Sequence, residues 1–262
     1  MKTLIALGGY QTNAVESIGK VSTVDADGPA SITNNFTGVG FIGMPSSVTL
    51  ACTWNEDLGL EYGRIMGKMC DEMGVSGWYA PAINTHRAAL GGREFEYVSE
   101  DGLLSGSLIA QEVIGAKEYG VYSYIKHYAL NDQETNRWNM VSVWANEQSI
   151  REIYLKPFEI AVKKGGAQAA MSSYSYLGTQ WCGGCNSLLN TVLRDEWGFR
   201  GMVITDYFLG LGFMNADVGI RNGNDLCLIA YDVGANMVTD TESATGIRAM
   251  RTACRNILYT VV

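Results

Sequence analysis

Short apolar runs alternate along the chain with longer amphipathic stretches. The runs at residues 20–24, 49–54, 78–83, 121–125, 167–172, 202–205 and 225–229 read as buried strands. Between several of them lie helix patterns. Residues 103–117 form one, and residues 146–164 form another that ends in Lys163-Lys164-Gly165, a cationic last turn followed by a stop. Pro157 lies inside that second stretch and predicts a kink or a break between two helices. The last pattern, residues 243–262, places Ile247, Met250, Cys254, Ile257 and Val261 on one face.

Strands alternating with helices over this length imply a parallel sheet with helical crossovers. A barrel and an open doubly wound sheet both fit. No G-x-G-x-x-G follows the first strand, which weakens the dinucleotide-binding version. About seven strands are visible where a complete barrel has eight. The expected α/β fold is therefore a (β/α)8 TIM-like barrel with one strand missing or irregular. No repeat or linker divides it, so residues 1–262 read as a single domain.

The polar residues at the ends of these strands change the picture. The first strand runs into Asp25-Ala26-Asp27, the fourth into Lys126-His127, the fifth toward Tyr174, and the sixth into Asp206-Tyr207. In an α/β barrel the carboxyl ends of all strands open on one face, and that face holds the active site. An Asp after a strand is often only a helix cap or turn residue, and a lone Lys-His pair is more often a surface feature. Four such residues or pairs arriving at one rim weaken that reading without naming a reaction.

Composition narrows the partners. The chain has 262 residues, 47% hydrophobic and 18% charged, which is ample for a packed core. Its net charge of −8 and lack of a basic stripe disfavour nucleic acid and anionic membranes. Six scattered cysteines without a secretory signal suggest free thiols in a reducing, cytoplasmic compartment. The apolar run at the N-terminus is too short for a signal core, and no stretch is long enough to cross a bilayer. With two histidines, a histidine-rich metal centre is excluded, and no metal or cofactor is expected. Cys182-Gly183-Gly184-Cys185 lacks a second ligand pair for zinc and reads as two loop thiols.

Four runs carry a family resemblance. Pro81-Ala82-Ile83-Asn84-Thr85-His86-Arg87 with Gly91-Gly92-Arg93-Glu94-Phe95-Glu96-Tyr97 resembles the arginine loop of family 3 glycoside hydrolases. Ile125-Lys126-His127-Tyr128 through Asn136-Arg137 resembles the family's lysine–histidine segment. Met171-Ser172-Ser173-Tyr174 resembles its tyrosine strand, and Trp197-Gly198-Phe199-Arg200-Gly201 through Asp206-Tyr207 its nucleophile strand. The runs come in the family's order. The resemblance implies a retaining β-glycosidase, with β-glucosidase the favoured activity, and Asp206 as the attacking carboxylate. Asp27, Arg93, Lys126 and His127 would hold sugar hydroxyls, and Arg137 would support them. Met171 would line the pocket, Tyr174 would lie beside the nucleophile, and Tyr207 stands where many relatives carry Trp. Lys and Arg nearby would favour ionised Asp206.

The acid that retaining hydrolysis requires is not apparent. In most of the family it is a glutamate on a separate α/β sandwich domain, and a smaller branch uses a loop histidine in K-H-F-P-G-H-G. Here the stretch reads Lys126-His127-Tyr128-Ala129-Leu130-Asn131-Asp132, so that dyad is absent. The wording of the motifs is most similar to members with reversed domain order. The chain therefore reads as a barrel without its companion domain, acting on a small β-glycoside or oligosaccharide. Glu96, Glu100 and Glu134 read as loop-bracing carboxylates. An apolar face left by the companion would favour docking to it or homo-oligomerisation. The alternative is a weak or inert carbohydrate-binding barrel. A third reading, a barrel acting on phosphorylated substrates, lacks a glycine-rich phosphate loop late in the chain.

Overall fold

The structure is a computed structural model that describes residues 1–34, 38–40, 42–208, 211–229 and 237–262. Five parallel strands form its centre: β1 (Thr23–Asp27), β2 (Gly77–Tyr79), β3 (Tyr122–Tyr128), β4 (Ala169–Ser172) and β5 (Met202–Thr205). They pair in chain order, β1 with β2, β2 with β3, β3 with β4 and β4 with β5. Such winding, with helices in the crossovers, is that of a barrel. Beyond β5, Leu226 forms a single parallel bridge to Ile204. The N-terminal segment then takes over. Cys227 N donates to Ile5 O at 2.8 Å, Gly8 N to Cys227 O at 2.9 Å, and Gly9 N to Ile229 O at 2.8 Å. Gln11–Thr12 in turn pairs antiparallel with β1. The circuit thus closes through irregular backbone rather than through regular strands, which is where the expected missing strand is found.

Three expectations are corrected. The first strand begins at Thr23 and runs through Asp27, so the two aspartates lie within it rather than after it. The apolar run at 49–54 falls in a short helix, Ser47–Ala51, and the turn after it. A short apolar run serves helix or strand equally, and here the helix buries Leu50 in the cluster that holds Met66 and Trp78. Residues 225–229 contribute the one bridge and no regular strand. Helix Gly102–Lys117 and helix Ala244–Val261 match the pattern closely, the latter burying Met250 and Ile257 with Ala249 and Ala253. The break at Pro157 is present, since Pro157 lies in the first turn of Lys156–Lys163, after a π-type turn at Ile150–Tyr154.

Helix Glu56–Glu72 had no sequence expectation. Asn55 caps it, accepting from Asp57 N and Leu58 N. Its face toward Gly102–Lys117 is lined with glycine. A Cβ on Gly63 would lie 2.2 Å from Glu112 O, and one on Gly115 2.4 Å from Leu60 O. Glu112 is enclosed there and its Oε1 has no hydrogen-bond partner. Burial pushes its carboxyl up to about 8 from 4.5. The folded state therefore binds this proton more tightly than the unfolded state. The contribution is fully present below about 4.5 and is lost as pH rises toward about 8. Denaturant titrations should show stability falling over that window, and Glu112→Gln should flatten the fall and raise stability at its upper end. An unchanged slope in the variant would locate the pH dependence elsewhere.

The interior of the barrel is partly polar. Asp25 is fully buried and accepts from Tyr122 Oη at 2.7 Å and Tyr124 Oη at 2.9 Å. Burial nevertheless pushes its carboxyl up to about 6. No helix among the described residues is long and apolar enough to cross a membrane.

The six cysteines are unpaired. Cys182 is not in a loop as expected. It begins a 3-10 turn, Cys182–Gly184, directly before the helical segment Ser187–Glu196. Burial pushes its thiol up to about 11, so helix entry does not make it a ready nucleophile.

Candidate active site

The carboxyl edge of the sheet carries the site. Asp27 ends β1, Lys126 and His127 occupy the end of β3, and Met171 lies in β4 opposite Lys126. Consecutive residues of a regular strand face opposite ways. β3, however, shifts register between Lys126 and Tyr128, and such irregularities re-aim side chains at functional rims. Lys126 and His127 accordingly reach the same cavity. Tyr174 follows β4, Asp206 and Tyr207 follow β5, and Arg93 and Arg137 come from the loops after β2 and β3. All nine line one cavity of about 350 Å³. Tyr10, Trp138 and Leu228 also line it.

Charge in this cavity is organised around Lys126. Its Nζ lies 2.7 Å from Asp27 Oδ1 and 3.3 Å from Glu96 Oε1. Glu96 Oε2 accepts from Arg93 Nε at 2.6 Å. Burial alone would lift the Glu96 carboxyl, but Lys126 and Arg93 outweigh it and hold it at about 2. Burial alone would lower Lys126, and Asp27 and Glu96 reverse this. Arg137 Nε lies 3.1 Å from Glu134 Oε2, and the Arg137 guanidinium lies over the Tyr174 ring. Glu96 and Glu134 therefore brace the cations, as expected for loop carboxylates. No such pairing is seen for Glu100 among the described residues.

His127 is fixed on all sides. Its backbone N donates to Asn84 Oδ1 at 2.8 Å, and Asn84 Nδ2 donates back to His127 O at 2.9 Å. Its ring lies between the Tyr97 hydroxyl, 3.1 Å from Nδ1, and Asp206 Oδ2, 3.8 Å from Nε2. Burial, then Arg93, Lys126 and Arg137, hold it well below its ordinary pKa and therefore neutral.

Asp206 is held at one oxygen. Oδ1 accepts from Tyr207 N at 2.7 Å, and its own backbone N donates to Ser172 O at 2.9 Å. Oδ2 is buried and, among the described residues, has no hydrogen-bond partner. Burial raises the carboxyl, and Arg137, Arg93 and Lys126 pull it down. The net shift is upward. The cations do favour the ionised form as expected, but burial outweighs them. Tyr174 Oη donates to Tyr207 O at 2.5 Å, tying β4 to the turn that carries Asp206.

Several participants escaped sequence reading. Tyr10 lies far from the motifs, and burial with the nearby Asp27 pushes its hydroxyl up to about 12. Tyr97, Asn84 and Asn131 are neutral, and carry no charge or spacing to mark them. Trp138 was not missed: with Trp54, Trp78 and Trp181 it is one of the tryptophans able by type to stack on a sugar, and it lines the cavity with the Arg137 guanidinium over its ring.

A barrel edge with one acceptor carboxylate, several cationic donors, aromatic walls and a second, half-unpaired carboxylate can hold a hydroxyl-rich ligand through charged hydrogen bonds. The family follows from comparison. Residues 24–256 match the glycosyl hydrolase family 3 N-terminal domain, and the chain belongs to that family. Beta-glucosidase A of Butyrivibrio fibrisolvens is 40% identical over 210 residues, 80% of this chain and 25% of that protein. A beta-glucosidase of Ruminococcus albus is 35% identical over 237 residues, 88% of this chain and 25% of its own length. Beta-glucosidase 3B from Thermotoga neapolitana, solved in complex with glucose, superposes with a TM-score of 0.86 at 35% identity, over 99% of this chain and 40% of that one. The family 3 beta-glucosidase of Bifidobacterium adolescentis gives 0.90 at 28% identity, over 99% and 38%. The chain thus spans about a quarter of the length of the curated relatives it matches.

Proposed function

We propose that this barrel is the nucleophile-bearing part of a retaining β-glucosidase, with Asp206 forming the covalent glycosyl-enzyme. One observation carries the reading. Asp206 Oδ2 is a buried acceptor without a partner, in a cavity ringed by Asp27, Arg93, Lys126 and His127. Buried carboxylate oxygens are mostly bonded, and this unpartnered one lies in a cavity lined by Arg93, Lys126 and Arg137. With Oδ1 held by Tyr207 N, the free oxygen is the one placed to attack an anomeric carbon. Asp27 accepts from sugar hydroxyls while Lys126, Arg93 and His127 donate to them, and Tyr10, Trp138 and Tyr207 supply walls for the ring.

The leaving-group acid comes from elsewhere in this reading. Among the described residues the only carboxylates lining the cavity are Asp27, tied to Lys126, and Asp206. A companion sandwich domain, arranged as in relatives of reversed domain order, would bring the acid within the roughly 5–5.5 Å that retaining hydrolysis needs. Apolar side chains of a second cavity, which Glu134 also lines, among them Leu90 at 97% and Trp144 at 70% exposure, suit such docking or self-association. The unpaired cysteines fit a cytoplasmic setting.

Incubation with a dinitrophenyl 2-deoxy-2-fluoroglucoside tests the proposal, because that leaving group departs without protonation. A mass increase of one fluoroglucosyl group, mapped to Asp206, is expected. Sugar binding without any adduct would favour the second reading, an inert carbohydrate-binding barrel, which the missing acid supports.

A further inference from the structure

We propose that Tyr97, itself oriented by Asn131 and Glu134, holds His127 as the tautomer protonated on Nε2, so that His127 offers the pocket a hydrogen-bond donor and not an acceptor. The identity of the ligand rests on the glycosidase reading above, but the tautomer does not.

The direction of each bond follows from the end of the chain. The Glu134 carboxylate, paired with Arg93 and Arg137, can only accept. Asn131 Nδ2 lies 3.0 Å from Glu134 Oε1, so the amide nitrogen, and not the amide oxygen, must face it. The same nitrogen lies 2.7 Å from Tyr97 Oη. Tyr97 Oη therefore accepts from Asn131 and has its own hydrogen left to donate. Burial raises the Tyr97 hydroxyl far above its ordinary pKa, so that hydrogen stays on. The acceptor in reach is His127 Nδ1 at 3.1 Å. A neutral imidazole whose Nδ1 accepts carries its proton on Nε2.

The opposite tautomer has one argument for it. Arg93 Nη2 lies 3.3 Å from Nε2 and could donate to a bare nitrogen there. Arg93 already has Glu96 and Glu134 as partners. The Tyr97 hydrogen would then be buried with no acceptor, whereas a proton on Nε2 belongs to a ring that lines the cavity, where water or a sugar hydroxyl can accept it. With the proton on Nε2, the next acceptor is the unpartnered Asp206 Oδ2, 3.8 Å away. A sugar hydroxyl placed between the two would accept from His127 and donate to Asp206. Lys126 and Arg93 have no accepting atom at all. His127 then joins them, and Asp27 and Asp206 are left as the charged acceptors of the pocket. Tyr97 and Asn131 act as positioning residues.

Nitrogen NMR of the domain labelled in histidine reads the tautomer directly. The chain has two histidines, so the His86→Gln variant assigns the spectrum. A protonated Nε2 and a bare Nδ1 are expected at neutral pH. In Asn131→Asp combined with Glu134→Gln, which keeps two carboxylates from meeting where Asn131 Nδ2 now lies 3.0 Å from Glu134 Oε1, the new carboxylate accepts from Tyr97, so Tyr97 turns its hydrogen away and the His127 proton should move to Nδ1. Tyr97→Phe should leave the tautomer mixed and raise KM for an aryl glucoside about tenfold, the equivalent of one hydrogen bond. A wild-type proton on Nδ1, or a tautomer unmoved in both variants, would overturn the proposal. If the wild-type domain forms no fluoroglucosyl adduct, the catalytic reading fails, yet the spectra still decide the tautomer.

Discussion

Asp206→Asn is expected to lower kcat/KM on a dinitrophenyl β-glucoside by about 10⁴- to 10⁶-fold, the range seen when one member of a catalytic constellation is removed from an otherwise intact site. The substitution is close to isosteric. The amide oxygen can still accept from Tyr207 N, as Oδ1 does at 2.7 Å, so fold and sugar binding should persist. What disappears is the charged, unpaired oxygen. Asp206→Gly should regain turnover when azide is added, with α-glucosyl azide as product, because attack from the vacated face inverts the anomeric centre once. Residual activity of Asp206→Asn within tenfold of wild type, or azide rescue giving the β-anomer, would remove Asp206 from the chemistry.

Lys126→Met should cost about 3 kcal/mol of folding stability, in the range for breaking a buried ion pair by removing one partner. The Lys126 side chain is 3% exposed and that of Glu96 8%. Without the ammonium, Glu96 keeps only Arg93, and Asp27 loses its contact. Adding Glu96→Gln should restore more than half of the loss, because the penalty lies in the carboxylate left behind. The pH dependence provides a second readout. Glu96 is depressed from 4.5 to about 2, so its contribution is present above about 4.5 and lost as pH falls toward 2. That acid-side loss should shrink in Lys126→Met. An equally steep loss in the variant would show that Lys126 does not hold Glu96 ionised.

The sequence revealed the site's charged members more readily than its neutral ones. Asp27, Lys126, His127 and Asp206 are charged or titratable and stand at strand ends, so a strand pattern and a family motif both find them; Arg93, in the loop after β2, is found by the motif alone. Tyr97 and Asn131 matter through the direction of their hydrogen bonds, which leaves no mark on spacing. The fold was legible where strands are apolar. β5 matches its expected bounds, whereas β1 was displaced because its interior-facing positions are Asp25 and Asp27, which a hydropathy pattern assigns to a loop. Helix Glu56–Glu72 was hidden for a related reason: close helix contact there is made by Gly59, Gly63 and Gly67, not by large apolar residues.

The two carboxylates of β1 also bear on how the barrel assembles. Asp25 and Asp27 point to the same side, one bonded to Tyr122 and Tyr124 beneath the pocket and the other to Lys126 at its mouth. Ala26, between them, packs outward with Met66 and Trp78. A misalignment of one residue would push both acids into that oily layer and leave three polar partners deserted. The strand therefore proofreads its own placement: a chain that closes out of step is penalised at two points before any substrate arrives.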